Sequence, residues 1–123
     1  AFVALHEDGT TQCWGDSAYG GRCSAGPHHV TDVHSTWYAF MALNRRDGTA
    51  LCWGGLEYGG NCSGRNFDGI TDVYSTGHAF MVLSGSKGRC WGNTDYGGGC
   101  SSRDFTGVTN LYSTGYAFMA LDK

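Results

Sequence analysis

The chain has 123 residues, a formal net charge of −3, 15% charged and 14% aromatic residues, 21 glycines, one proline and six cysteines. That length holds one modest core and excludes a multi-domain enzyme, while so much aromatic content excludes disorder. With only two lysines, Lys87 and Lys123, the balance argues against nucleic acid and anionic membranes, and no apolar run nears the ~18 residues of a membrane span.

In chain order, the first element is the apolar run Ala1-Phe2-Val3-Ala4-Leu5, of strand length and too short for a helix. Asp8-Gly9 supplies a hairpin turn, and a second strand ends in Cys13-Trp14-Gly15. Asp16 to Ser24, with Tyr19-Gly20-Gly21 and Cys23, reads as a Gly-rich loop. Val30-Thr31-Asp32-Val33-His34-Ser35-Thr36 alternates with period two and is a third strand.

The same cycle then restarts at Ala39-Phe40. It runs through Asp47-Gly48, Cys52-Trp53-Gly54, Tyr58 to Ser63 and Ile70 to Thr76. A third passage runs from Ala79-Phe80 through a shorter turn, Ser84 to Gly88, to Cys90-Trp91-Gly92, Tyr96 to Ser101 and Val108 to Thr114. Ala117-Phe118 opens a fourth. No window has sustained helical spacing. Trp-Gly pairs 39 and 38 residues apart mark a repeat array, a propeller or a threefold fold. The expectation is all-β: one repeat domain over 1–123, with repeats near 1–38, 39–78 and 79–116 and an extra strand over 117–123.

The run Ala42-Leu43, Asp47-Gly48, Trp53-Gly54, Tyr58-Gly59 resembles the repeat of the regulator of chromosome condensation family, and the likeness extends over all three repeats. That resemblance implies propeller-like blades of four strands. The repeats here are shorter, and Gly-Gly-x-Cys-Ser stands where the family has Gly-Gln-Leu-Gly. No residues here carry the family's nucleotide-exchange activity. Three blades are too few for an ordinary closed propeller, so the expected form is an open array or part-ring, with a β-trefoil as the alternative.

Each repeat holds two cysteines ten positions apart: Cys13 and Cys23, Cys52 and Cys62, Cys90 and Cys100. Repeat equivalence favours three disulfides that each close their own loop. The other register joins Cys23 to Cys52 and Cys62 to Cys90, leaving Cys13 and Cys100 for neighbouring molecules. Zinc would want Cys-x-x-Cys spacing or a recurring histidine, and neither is present. Six cysteines in so short a chain suit an oxidising, extracellular or cell-surface setting.

The histidines carry no metal expectation despite His28, His29 and His34 lying close together. His34 aligns with Tyr74 and Tyr112, and His78 with Tyr38 and Tyr116, so histidine fills an aromatic slot. Ser84-Gly85-Ser86-Lys87 matches Ser-x-x-Lys without the partner motifs of penicillin-type sites. No carboxylate pair or phosphate loop stands out, so neither an enzyme nor a cofactor is expected.

Trp14, Trp53, Trp91, Phe2, Phe40, Phe80 and Phe118 are assigned to the repeat core. Tyr19, Tyr58 and Tyr96, with Asp16, Glu57 and Asp95 nearby, are candidate sugar-binding residues: rings to stack on, acids to accept from hydroxyls. Trp37, aligned with Gly77 and Gly115, reads as a surface substitution. Asn61-Cys62-Ser63 is a weak glycosylation sequon, because cysteine occupies its middle.

Two functions follow. The first is an extracellular structural module that self-associates head to tail into a fibre or surface array; the second is a multivalent carbohydrate-binding lectin. The phase of the chain favours the first. It has four Ala-Phe-x-x-Leu strands but three strands of each other kind, so both ends are expected to expose complementary repeat faces. The chain is also expected to be a processed form or a segment of a longer array.

Overall fold

The structure, a computed structural model, describes residues 1–23 and 29–122. Ser24 to His28, which include the only proline and one of the neighbouring histidines, and Lys123 lie outside the described residues. Ten strands form four antiparallel sheets. They are β1 (Phe2–Leu5), β2 (Thr11–Trp14), β3 (Asp32–Ser35), β4 (Ala39–Asn44), β5 (Thr49–Gly54), β6 (Asp72–Ser75), β7 (Ala79–Ser84), β8 (Lys87–Gly92), β9 (Val108–Ser113) and β10 (Phe118–Asp122).

The two middle sheets are complete meanders, β3-β4-β5 and β6-β7-β8, while β1-β2 and β9-β10 are two-stranded. None closes on itself. The chain is an open array of repeats, and the trefoil alternative is set aside because, among the described residues, no strand bridges the first and last sheets. The complete sheets carry three strands, one fewer than the four-stranded blade implied by the family resemblance.

Register explains the repeated words of the sequence. Phe40 faces Trp53 and Phe80 faces Trp91 across their hairpins, with Met41 opposite Cys52 and Met81 opposite Cys90. The Ala-Phe-Met-Ala/Val-Leu strand is buried on both faces because it is the middle strand of each complete sheet. That burial is why it reads as a continuous apolar run instead of alternating. Around it lies the main core: Met41, Leu43, Phe67, Ile70, Phe80, Val82 and Trp91. A smaller one joins Met81, Leu83, Phe105 and Leu111.

Each Gly-rich loop contains a short 3-10 turn, at Ser17–Tyr19, Leu56–Tyr58 and Thr94–Tyr96. Asp16 and Asn93 cap the first and third through their side-chain oxygens. The expected disulfides are all present in the self-closing register: Cys13–Cys23, Cys52–Cys62 and Cys90–Cys100.

One core expectation is corrected. Phe2 and Trp14 are 66% and 50% exposed, whereas the equivalent Phe80 and Trp91 are 0% and 2% exposed. The covering surface is a loop donated by the preceding repeat, and no described segment precedes β1. Phe118, in the two-stranded last sheet, is only half-buried.

Candidate functional site

Two constructions run along the array. The first joins one repeat to the next. Gly20 and Gly59 sit in the left-handed region at φ +92° and +96°, beside Phe40 and Phe80 of the following sheet. A Cβ on Gly59 would stand 2.6 Å from a Phe80 ring carbon, so only glycine lets the loop lie on the ring. The tryptophan of that sheet then reaches back: Trp53 Nε1 donates to Gly20 O and Trp91 Nε1 to Gly59 O, both at 3.1 Å. A buried threonine of each complete sheet also holds the loop that follows it, with Thr36 Oγ1 donating to Tyr58 O at 2.8 Å and Thr76 Oγ1 to Tyr96 O at 2.9 Å.

The third copy of this joint is partial. Gly97, at φ +106°, lies against Phe118, but no indole N–H meets its carbonyl. An open cavity of about 470 Å³ lies there, with Gly97, Phe105, Leu111 and Phe118 in its wall. One repeat earlier, the corresponding space is filled by Trp91, packed edge-on against Phe67 at 5.6 Å and tilted against Phe80 at 5.5 Å. At the other end Trp14 stacks only on Phe2, at 5.6 Å.

The second construction is a line of aromatic rings. Tyr19, Tyr58 and Tyr96 from the loops alternate with Tyr38, His78 and Tyr116 from the sheet corners. Successive ring centroids are 4.6 Å (Tyr19–Tyr38), 4.5 Å (Tyr38–Tyr58), 5.1 Å (Tyr58–His78), 4.5 Å (His78–Tyr96) and 5.5 Å (Tyr96–Tyr116). The loop tyrosines singled out from sequence are therefore brought together, but through partners that the sequence reading left as packed slots. Burial, followed by the nearby Tyr38 and Glu57, raises the Tyr58 phenol above its ordinary pKa.

Trp37, read from the sequence as a surface substitution, is 54% exposed, but it is also a contact residue. It packs on His78 and Tyr116, and its indole lies over Gly77 and Gly115, where a Cβ would come within 2.5 and 2.9 Å of the ring. The corner backbones meet as well: Trp37 N donates to Gly77 O, and Gly77 N to Gly115 O. The signal was in the alignment, where one large residue faces two glycines. It becomes interpretable only once the three equivalent corners touch.

The expected acids do not converge on the rings as a set. Asp16 is committed to capping its own turn, and Asp95 and Glu57 stay exposed. Asn61 accepts from the backbone N–H and hydroxyl of Ser63, beside the buried and bonded Cys62. Among the described residues no three His, Cys, Asp or Glu side chains gather as a metal requires. No helix is long and apolar enough to cross a membrane.

The strongest electrostatic feature is a clip between sheets. Arg45 meets Asp32 in a two-pronged contact at 3.0–3.3 Å and also donates to the carbonyls of Ile70 and Thr71, which lead into β6 of the next sheet. Burial alone would raise the Asp32 carboxyl, but hydrogen bonds from Arg45, Thr31 and His34 outweigh it and hold the pKa at about 2.

A scan against protein-family models gives no match, and a comparison with curated proteins gives none either.

Proposed function

We propose that this chain is an extracellular structural module, a divergent relative of the regulator of chromosome condensation repeat, that assembles head to tail with further copies of itself. The observation carrying this reading is the tryptophan-to-glycine joint, made twice inside the chain and half-made at each end. Trp14 lies exposed with Phe2, and the Gly97 cavity has the walls that hold Trp91 one repeat earlier. A second copy is the proposed occupant, because the chain's own two internal joints pair the same two kinds of face.

Seating Trp14 in the Gly97 cavity removes about 100 Å² of indole surface from water, worth about 2.5 kcal/mol. Strands β1 and β10 are equivalent, so at each joint one gives way to the other and assembly is an exchange of strands. Such a joint is heterologous and propagates as a filament unless its rotation closes a ring. Low charge and three self-closed disulfides suit an exposed, oxidising setting.

Sedimentation and electron microscopy of the 123-residue chain test the reading. Concentration-dependent oligomers or filaments are expected, and Trp14→Ala weakens association by about 60-fold, the equivalent of those 2.5 kcal/mol. A monomer that stays monomeric at all concentrations and binds glycans through Tyr19, Tyr58 or Tyr96 overturns it in favour of a lectin.

A further inference from the structure

The three disulfides each close a loop within one repeat, so no covalent bond links one repeat to the next except the chain itself. The aromatic line crosses those joints. Tyr19, on the loop after β2, contacts Tyr38 at the corner before β4, and Tyr96, on the loop after β8, contacts Tyr116 at the corner before β10. Tyr38 also meets Tyr58. Tyr19–Tyr38 is tilted at 50°, and Tyr38–Tyr58 and Tyr96–Tyr116 are edge-on at 64° and 62°, so none of the pairs lies face to face and in the edge-on pairs one ring turns its edge to the other. Edges carry the carbons ortho to the hydroxyl. His78 interrupts the phenols between Tyr58 and Tyr96, leaving one block of three and one of two.

We propose that this line is a site of oxidative tyrosine cross-linking, forming intramolecular dityrosine at Tyr19–Tyr38, Tyr38–Tyr58 and Tyr96–Tyr116. The co-reactant is a one-electron oxidant, such as a peroxidase acting with hydrogen peroxide. Each of two phenols loses one electron and its hydroxyl proton, giving two phenoxyl radicals with spin on the ortho carbons. Those carbons join in a new C–C bond, and each ortho hydrogen then moves as a proton to its own ring oxygen, restoring the hydroxyl. Two tyrosines lose two hydrogens in all, and one peroxide is reduced to two waters. Preassembled ring pairs favour coupling within the molecule, because the second phenol is held at an effective concentration far above that of any neighbouring chain. Exposed Tyr19 and Tyr96 give the oxidant access to each block. The first and third links would lock adjacent sheets together where the disulfides do not.

The sequence provides an internal control. Tyr112 is 52% exposed, more open than Tyr19, yet it contacts no other aromatic ring among the described residues. Trypsin cuts after Arg22, Arg45, Arg65, Arg89 and Arg103, which places Tyr19, Tyr38, Tyr58 and Tyr96 on separate peptides. The test treats the dilute, folded, disulfide-intact chain with a peroxidase and hydrogen peroxide, then reduces, digests and maps linked peptides by mass spectrometry. The expected products are the three named pairs, each two hydrogens lighter than its parts, with fragmentation placing the last link at Tyr116. Tyr38→Phe, which keeps the ring, abolishes the first two links and leaves Tyr96–Tyr116. Prior unfolding and reduction of the chain disperses the pattern. The proposal is overturned if Tyr112 links as readily as the line tyrosines, if dityrosine forms only between molecules, or if Tyr38→Phe leaves the yield unchanged.

Discussion

Replacing Gly59 by alanine tests the joint between repeats directly. Two costs follow from the structure. Gly59 has φ +96°, and a non-glycine residue held in the left-handed region loses about 1–2 kcal/mol. The new Cβ would also lie 2.6 and 3.0 Å from two carbons of the Phe80 ring. Phe80 is fully buried and packed against Trp91, so it cannot swing aside, and overpacking adds about 1–3 kcal/mol. The sum is a loss of about 2–5 kcal/mol. Gly64→Ala separates the terms, because Gly64 has φ +74° but nothing within 4 Å of a Cβ. Chemical denaturation of both variants is the assay, with disulfides intact throughout. Gly59→Ala is expected to cost at least 1 kcal/mol more than Gly64→Ala, an excess that Phe80→Leu reduces when combined with it. Equal costs in the two variants would refute the close packing of loop on ring that the joint requires.

The Asp32–Arg45 clip predicts an acid-side loss of stability. The folded pKa of about 2 lies below the ordinary value of 3.8, so the contribution is complete above the unfolded value and fades as pH falls from about 4 to 2. Solvent screening of a partly exposed pair limits it to about 1 kcal/mol. Asp32→Asn should flatten that part of a denaturation-against-pH curve while leaving the neutral-to-alkaline part parallel to wild type. Loss of Cys52–Cys62, which closes a loop of about 11 residues, is expected to cost about 3 kcal/mol on the chain-entropy model, measured by denaturation of the Cys52→Ser/Cys62→Ser variant.

The fold was legible where a residue's partner lay within its own repeat. Asp47-Gly48 announces a hairpin, and ten-residue cysteine spacing announces a self-closed loop, because both are local facts. Burial at the ends was not legible. Phe2 and Phe80 occupy the same word of the repeat, and only the presence of a preceding Gly loop makes one exposed and the other buried. The aromatic line was half legible. Its loop tyrosines stood out by recurrence, but Tyr38, His78 and Tyr116 looked like interchangeable fillers until the corners were found to meet. The surface position of Trp37 was legible, but its contacts were not, since its partners Gly77 and Gly115 lie one and two repeats away.

The conserved geometry of the joint bears on how such an array holds together. Stability in stacked repeats is a sum of each unit's own term and a term for each interface. Here the sheets are small, three strands at most, and a meander of that size is marginal alone. The disulfides constrain single loops and form no covalent link across the interfaces. Interface energy therefore rests on the tryptophan-to-glycine joint, the Arg45 clip and the aromatic line, all of which reach from one repeat into the next. A sheet without such a neighbour, like β1-β2 with its uncovered Phe2 and Trp14, has the most to gain from acquiring one. The proposed head-to-tail assembly would relieve that inequality.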